Sequence, residues 1–392
     1  MINRPKELGT ERVSRLLLKY ALPSIVASTV MSIFNIVDSI FIGHGVGTLG
    51  LSGLAVLLPL MNMMVAFSTL VAIGGANLMS IRLGQKDYKS ANVILGNVVT
   101  LSIIYATILN IVCYTFLDKI LILSGASAET LPYARSFMQV FLAGVIFTQL
   151  FFNLNAMLRS SAAPQKAMIA TIGMVFIVVI LNPIFIFGLN MGMRGSALAT
   201  VLSQGIMLCY QLHHFYNKNN CIYFQKGIFK LRWNMISKMM SIGLSPFFMN
   251  LTACMVVIII TNSLTRYGGD VAVGAYGIIN RFLFFFVMIV IGLMQGMQPI
   301  VGYNYGAKLY NRAFKALKLS IMFATVISVI GFLLGEFCPH MITSMFTTDK
   351  QLTEIAASGM RIMMMAVPLL GIQVISTGFF QSIGYVKTAI FL

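Results

Sequence analysis

Long runs of apolar residues alternate with short polar segments along the whole chain. A transmembrane helix needs about 20 mainly apolar residues, and ten stretches reach that length. They cover residues 16–42, 51–80, 93–117, 131–158, 165–189, 193–216, 238–265, 271–300, 313–336 and 352–383. Pro23, Pro246 and Pro368 lie inside three of these stretches and are expected to kink them. No connection is long enough for a soluble domain, so the pattern predicts an all-α, polytopic integral membrane protein.

The composition agrees with this pattern, because 58% of the residues are apolar and only 9% are charged. An average soluble protein has about 25% charged residues, so an ordinary globular domain is excluded, as is a disordered chain. The five cysteines form no C-x-x-C pair and indicate neither a disulfide framework nor a zinc site. The loops contain no cluster of acids, histidines or nucleophiles, so we expect no enzymatic activity.

The formal net charge is +17, and its position along the chain decides what it means. Of the 27 lysines and arginines, 20 lie in the N-terminal leader and in alternate loops, all on one side of the predicted membrane. By the positive-inside rule this side is cytoplasmic. We therefore predict a multi-pass protein of the cell membrane with a cytoplasmic N-terminus. The lipid bilayer is the expected partner, and a nucleic acid is not.

An internal repeat at an offset of about 222 residues divides the chain. Residues 84–91 and 306–313 are identical at four of eight positions, and Pro23 pairs with Pro246 at an offset of 223. Chance similarity between two glycine-containing loops is the alternative, but the spans and the basic loops follow the same offset. Six spans per repeat give both copies the same orientation. Such parallel repeats are typical of transporters, with the substrate path between the halves.

The repeat predicts two six-helix lobes and their boundaries. These are an N-terminal lobe at 1–216, a cytoplasmic inter-lobe linker at 217–237 and a C-terminal lobe at 238–392. The spans 165–189 and 193–216 should recur beyond Leu392, so we expect the second lobe to lack about two helices in this chain. The alternative, a complete ten-span protein, would leave that lobe with an open flank facing lipid.

Two ionisable residues inside the predicted spans are candidates for function. Asp38 is the acid that lies well inside a span, and intramembrane acids by default mark ion or substrate pathways. The membrane disfavours the charged carboxylate, which suits exchange of a proton or binding of a cation; silent pairing with a neighbour is the alternative. Arg281 in the eighth span is either structural or part of a cavity. The 28 methionines and 29 phenylalanines suit flat lipophilic cations, although most of them are ordinary packing residues.

Three segments resemble the multidrug and toxic compound extrusion (MATE) family of transporters. They are NIVDSIFIG at residues 35–43, RGSALAT at 194–200 and GLMQGMQPIVGYNYGAK at 292–308, of which the last is the most specific. The third segment is similar to the MepA-like and DinF-like branch. The resemblance covers the whole chain and implies a family pattern of twelve helices, which agrees with the missing pair.

The resemblance also implies the roles of individual residues. Asp38, Asn182 and Thr200 would form the ion-coupling site, and Pro23 the bend of the first helix. Met31, Phe34, Asn35 and Asn155 would line the cavity and polar site of the N-terminal lobe, and Arg281 is a candidate for the cavity of the C-terminal lobe. Asn182 stands where the family often has aspartate, and Phe34 where it often has tyrosine. One carboxylate instead of two leaves the identity of the coupling ion open.

The expected function is secondary active multidrug efflux. A monomer would exchange amphipathic, aromatic organic cations for H+ or Na+ by alternating access. The coupling ion is the only cofactor expected, and Na+ at Asp38 the only metal. The alternative is a flippase or exporter of a lipid-linked or small metabolite in the same superfamily, which would need a more basic cavity. The repeat and the solitary carboxylate disfavour a passive channel.

Overall fold

A computed structural model describes residues 7–225, 227–345 and 350–392 of the chain. In these ranges the regular secondary structure is helical. The helices of the first half are α1 (Glu7–Thr10), α2 (Val13–Gly45), α3 (Thr48–Gly84), α4 (Tyr88–Thr115), α5 (Leu117–Leu123), α6 (Leu131–Ala143), α7 (Val145–Ser160), α8 (Pro164–Pro183) and α9 (Met193–Tyr216). A π-helical turn, Ile184–Gly188, extends α8 beyond Pro183.

The second half begins with one long helical stretch, Trp233–Gly306, which is interrupted at Gly269 by a φ of 65°. Its two parts of membrane length are α10 (Trp233–Ile260) and α11 (Gly274–Gly306). The helices that follow are α12 (Tyr310–Phe337), α13 (Pro339–Ser344), α14 (Lys350–Met364), α15 (Val367–Ile383) and α16 (Val386–Phe391).

The number of uninterrupted spans needs a correction from the predicted ten. Among the described residues, seven helices are long and apolar enough to cross a membrane, and two bent pairs bring the number to at most nine. The pairs are α6 with α7, bent by 62°, and α14 with α15, bent by 48°. The sixth predicted span is the helix α9, but it does not reach the same apolar standard. Its buried Gln204, Gln211 and His214 explain why.

Only one of the two bends lies at a proline from which a kink was predicted. Pro368 lies in the first turn of α15, directly after the bend between α14 and α15. The other bend falls at Gly144, between α6 and α7, and has no proline. Pro23 and Pro246 lie inside helices that continue on both sides of them. Each proline still removes one backbone hydrogen bond, so both helices keep a weak point.

Two pairs of residues show how the two lobes, α2–α9 and α10–α16, pack together. A Cβ atom at Gly84 would overlap the carbonyl oxygen of Tyr303, and one at Gly306 would overlap that of Ile81. The offset of 222 residues relates these two contacts to each other. The ends of α3 and α11 therefore meet backbone to backbone around an approximate two-fold axis, as parallel repeats require. We call this end of the bundle, where α2 begins and α3 and α11 end, the basic face.

The segment between the lobes lies along α4 and is held there by hydrogen bonds. The backbone N–H of Tyr223 donates to Asn92 Oδ1 over 2.9 Å, and that of Arg232 donates to Asn97 Oδ1 over 3.2 Å. Both asparagines lie on α4 in the first lobe. The described part of 217–232 is therefore fixed to the first lobe and does not hang freely between the two.

Candidate functional site

Asp38 lies in α2 about two turns from the end that faces away from the basic face, and it is half-buried. Its Oδ1 accepts hydrogen bonds from Asn182 Nδ2 over 2.7 Å and from Ser196 Oγ over 3.1 Å. Asn182 belongs to the last turn of α8 and Ser196 to the first turn of α9. The carboxylate thus joins three helices of the first lobe through neutral partners.

Asn182 has a second polar atom at the site. Its side chain is fully buried, and its Oδ1 has no hydrogen-bond partner in the described part of the chain. A buried carbonyl oxygen without a partner costs about 1–3 kcal/mol. The site therefore offers an unused acceptor next to the carboxylate of Asp38, where a proton donor or a cation would be stabilised.

A layer of apolar side chains lies one turn nearer the basic face. Phe34, Val178 and Ala199 are buried and in contact with one another. They come from α2, α8 and α9, the same three helices that hold the polar site. Because apolar packing excludes water, this layer separates Asp38 from the basic face.

A cavity of about 650 Å³ lies between the lobes, in the half of the bundle away from the basic face. From α2 it is lined by Ser32, Asn35, Ile36, Ser39, Ile40, Gly43 and His44. The second lobe contributes Asn280, Arg281 and Phe284 of α11, and α3 contributes Leu51. The lining is therefore mixed, with apolar, amide and hydroxyl groups and a guanidinium.

The cavity and the carboxylate lie on opposite faces of α2. Asn35, Ser39 and Gly43 recur every four residues and form the stripe that faces the cavity. Asp38 and Phe34 also lie four residues apart, on the face that contacts α8 and α9. One helix is thus a wall of both sites, and its movement would change both at once.

Several of the predicted site residues come together here. Asp38 and Asn182 are hydrogen-bonded, Phe34 packs directly below them, and Asn35 and Arg281 line the cavity. Thr200 lies one helical turn beyond Ser196, but the described residues show no hydrogen bond between its hydroxyl and Asp38. Arg281 of the second lobe shares a cavity with Asn35 of the first lobe.

Other predicted residues lie elsewhere. Asn155 Nδ2 donates to Ala167 O over 2.9 Å and to Thr171 Oγ1 over 3.2 Å, and its Oδ1 accepts from Arg159. This group lies near the basic face, so the structure does not bring Asn155 to Asp38. Met31 is half-buried against the main core, and Pro23 is buried in α2 closer to the basic face.

Ser196 was not predicted from the sequence as a partner of Asp38. A signal was present, because Ser196 precedes Thr200 by four residues, and residues at that spacing share one face of a helix. Both hydroxyls therefore fitted the spacing equally well. The position at which α9 begins decides between them. Ser196, in its first turn, lies at the same depth as Asp38, whereas Thr200 lies beside the apolar layer.

Both the sequence and the fold are similar to those of known proteins. The family model MatE matches residues 23–184 and 246–392, two segments that begin at the repeat-related Pro23 and Pro246. Multidrug export protein MepA of Staphylococcus haemolyticus is 28% identical over 372 residues, which cover 95% of this chain and 82% of that protein. MepA of Staphylococcus aureus is 27% identical over the same length.

Solved structures agree with the sequence match. The MATE multidrug transporter DinF-BH in complex with rhodamine 6G is 33% identical, with a TM-score of 0.90, over 98% of this chain and 86% of that one. An outward-facing MATE transporter of the MOP superfamily reaches a TM-score of 0.94 at 18% identity, which shows the shared fold alone. With both repeats matched by the family model and a solved relative 33% identical over 98% of this chain, the chain belongs to the MATE family of membrane transporters.

Proposed function

We propose that this transporter exports amphipathic organic cations in exchange for H+ or Na+, with Asp38 as the residue that binds the coupling ion. The observation that carries the proposal is the neutral surroundings of that carboxylate. It accepts hydrogen bonds from an amide and a hydroxyl, and no basic side chain forms an ion pair with it among the described residues. A buried carboxylate needs a counter-charge or a proton, and here an exchangeable ion would supply it.

The two candidate ions would use the amide of Asn182 differently. Na+ takes oxygen ligands, and the carboxylate of Asp38 with the unused Oδ1 of Asn182 would provide two of them. If the side-chain amide of Asn182 flipped, a protonated Asp38 would instead donate a hydrogen bond to that Oδ1, because an amide presents a donor on one side and an acceptor on the other. Both states remove the unpaired acceptor, which favours ion binding at this position.

The link from the ion to the substrate would be the helix α2. Neutralising Asp38 weakens its hydrogen bonds to α8 and α9, because bonds to charged groups are the stronger ones. The helix could then bend at Pro23, where one backbone hydrogen bond is already missing. The cavity-facing stripe of α2, including Asn35 and Ser39, would move with it. Ion binding would in this way change the surface offered to the substrate.

We also propose that the basic face is cytoplasmic and that the protein lies in the cell membrane. The close approach of Gly84 to Tyr303 closes the lobes on that side, while the cavity lies toward the other. The structure would then correspond to an outward-facing state. Exporting a monovalent cation against an inside-negative potential costs about 2.3 kcal/mol per 100 mV, which one incoming monovalent ion offsets.

Gradient-driven transport would test the substrate class and the coupling ion together. Rhodamine 6G is a suitable probe, because the structure of the related DinF-BH contains this dye. In proteoliposomes, an imposed pH gradient or an imposed Na+ gradient should drive movement of this dye in the opposite direction, and the active gradient identifies the ion. If neither gradient moves the dye or another amphipathic cation, the proposal is wrong.

One observation favours a second candidate, an exporter or flippase for an anionic metabolite or lipid-linked substrate. Arg281 lies in the cavity, and the described lining residues include no acid. A guanidinium repels a cationic substrate and attracts an anionic one. If the main proposal holds, Arg281→Gln should leave cation transport intact or improve it. Loss of transport of an anionic substrate in the same variant would favour the second candidate.

A further inference from the structure

A separate pocket of about 390 Å³ lies on the basic face, where α2 and α12 both begin. Arg12 and Ser14 line it from the start of α2, and Asn311, Arg312 and Lys315 line it from the start of α12. The pocket therefore bridges the first lobe and the second. Three of its lining residues are basic and none is acidic, which makes it chemically unlike the cavity beside Asp38.

The basic groups of this pocket have no carboxylate partner among the described residues. Arg312 is held in place by the protein: its Nε donates to Asn304 Oδ1 over 3.0 Å and its Nη2 to Glu11 O over 2.5 Å. Nη2 also donates to Leu8 O over 3.3 Å, and within the described residues no partner is recorded for the two N–H groups of Nη1. Arg12 and Lys315 are exposed at the rim. A fixed guanidinium with two exposed cations beside it suits a group that carries several anionic oxygens.

The start of α2 adds to the preference for an anion. Its N-cap residue is Arg12, whose side chain makes no capping hydrogen bond, so in the described part of the chain the N-cap does not satisfy the first backbone N–H groups of this long helix. The hydroxyl of Ser14 is a further donor at the same end. The pocket thus combines donors from side chains and backbone.

The surroundings of the pocket point to a lipid as the source of that anion. Leu18 of α2 and Phe314 of α12 lie within two turns of the pocket and expose 58% and 62% of their surfaces. Both helices are long and apolar enough to enter the membrane at this point. An acyl chain could follow these side chains while the headgroup remained at the basic rim, an arrangement that basic pockets between helices are suited to hold.

We propose that this pocket binds the phosphate group of an anionic phospholipid in the leaflet at the basic face. The bound phosphate bridges Arg12 of the first lobe with Arg312 and Lys315 of the second, and so stabilises the arrangement in which the lobes meet on that side. Assignment of the lipid to the inner leaflet rests on the proposed orientation, whereas binding itself does not depend on transport.

Native mass spectrometry of the purified full chain in a neutral detergent would test this. Phosphatidylglycerol is titrated against phosphatidylcholine for the unmodified protein and for the double variant R12Q/K315Q. The matched control is R15Q/K318Q, which removes one charge from each of the same two helices at exposed residues outside the pocket. We expect R12Q/K315Q to weaken phosphatidylglycerol binding roughly 30-fold relative to phosphatidylcholine, and the control to weaken it far less. The charge-preserving variant R12K/K315R should bind like the unmodified protein.

Two results would overturn the proposal. Equal losses in R12Q/K315Q and R15Q/K318Q would mean that net charge, and not this pocket, attracts the lipid. If millimolar inorganic phosphate prevents phosphatidylglycerol from binding to protein stripped of lipid, the pocket would instead be assigned to a soluble phosphate compound. Because neither readout involves drug movement, a failure here is distinguishable from a failure of the proposed antiport.

Discussion

The amide nitrogen of Asn182 lies 2.7 Å from a carboxylate oxygen of Asp38, although the two residues are separated by 144 positions in the chain. This contact ties the helix that lines the cavity to the interior of the first lobe. It also means that an aspartate at position 182 would bring a second carboxylate within hydrogen-bond distance of Asp38. If Asp38 binds the coupling ion as proposed, the pair determines how much cationic charge the site can accept.

The variant Asn182→Asp should change the ion requirement of transport. Two carboxylates at hydrogen-bond distance cannot both remain ionised without a shared proton or cation, so the number of coupling ions per substrate should rise. Ion flux and substrate flux measured together in proteoliposomes give this ratio. Ser196→Ala, which removes a neutral donor to the same oxygen, is the control and should keep the original ratio. An unchanged ratio in Asn182→Asp would place position 182 outside the ion site.

The meeting of α3 and α11 predicts a strong effect from a single methyl group. In Gly306→Ala the new Cβ would overlap the carbonyl oxygen of Ile81, so the lobes would have to separate on the basic face. Overpacking of this kind costs about 1–3 kcal/mol, and the melting temperature should fall. Gly205→Ala is the matched control, because among the described residues, apart from its chain neighbours and its own helix backbone, no atom lies within 4 Å of its Cβ position. Equal melting temperatures for the two variants would contradict the close approach.

The start of α4 predicts a pH-dependent contribution to stability. Asp87 is its N-cap and accepts a hydrogen bond from the Ser90 N–H over 3.1 Å. Partial burial raises the pKa of Asp87, but the hydrogen bonds with Ser90 and the charges of Arg82 and Lys89 outweigh this, so the pKa lies below the usual aspartate value. The stabilisation is therefore present above the unfolded-state pKa and is lost as the pH falls through the lowered folded-state value.

Two variants separate the cap from the charge at this position. Asp87→Ala should lose about 1 kcal/mol at neutral pH, since it removes the cap. Asp87→Asn keeps a capping oxygen but does not titrate, so its melting temperature should depend less on pH in the acidic range than that of the unmodified protein. A steeper acidic dependence in Asp87→Asn would contradict the assigned direction of the pKa shift.

The apolar layer next to the proposed ion site, on the side of the basic face, predicts an uncoupling variant. Phe34→Ala opens a cavity beside Val178 and Ala199, and water could then reach Asp38 from the basic face. Ion uptake without substrate should increase, while substrate-driven exchange decreases. Phe176→Ala, at a side chain that is 66% exposed on the same neighbouring helix α8, is the control. If ion uptake without substrate does not increase in Phe34→Ala, the layer does not seal the site.

The sequence predicted the helices and the repeat well because both depend on patterns that act over long stretches. Apolar length determines where a helix enters a membrane, and the relation between Gly84 and Gly306 was visible as an offset. The bend at Gly144 was not predictable in this way, since it lacks the proline that weakens a helix locally. Hydropathy does show that α9 is less apolar than the other long helices, but it does not show that Gln204 and Gln211 would be buried.

The candidate site was predictable in part for a related reason. An acid within a span is costly enough to stand out, so Asp38 could be found from the sequence. Its partners are neutral side chains of α8 and α9, and such residues occur many times in every span. Their selection depends on the depth at which each helix begins, which places Ser196 beside Asp38 and Asn155 near the opposite end. That information lies in the packing of the helices.

The proposed coupling of ion entry to substrate export by Asp38 can be tested by measuring rhodamine 6G transport in proteoliposomes that contain Asp38→Asn. The asparagine keeps the size of the side chain but can no longer bind and release a coupling ion as a carboxylate does. We expect an imposed pH or Na+ gradient to drive dye movement in the unmodified protein and to fail to do so in Asp38→Asn, while the folded variant retains its melting temperature. Gradient-driven transport by Asp38→Asn at the rate of the unmodified protein would contradict it.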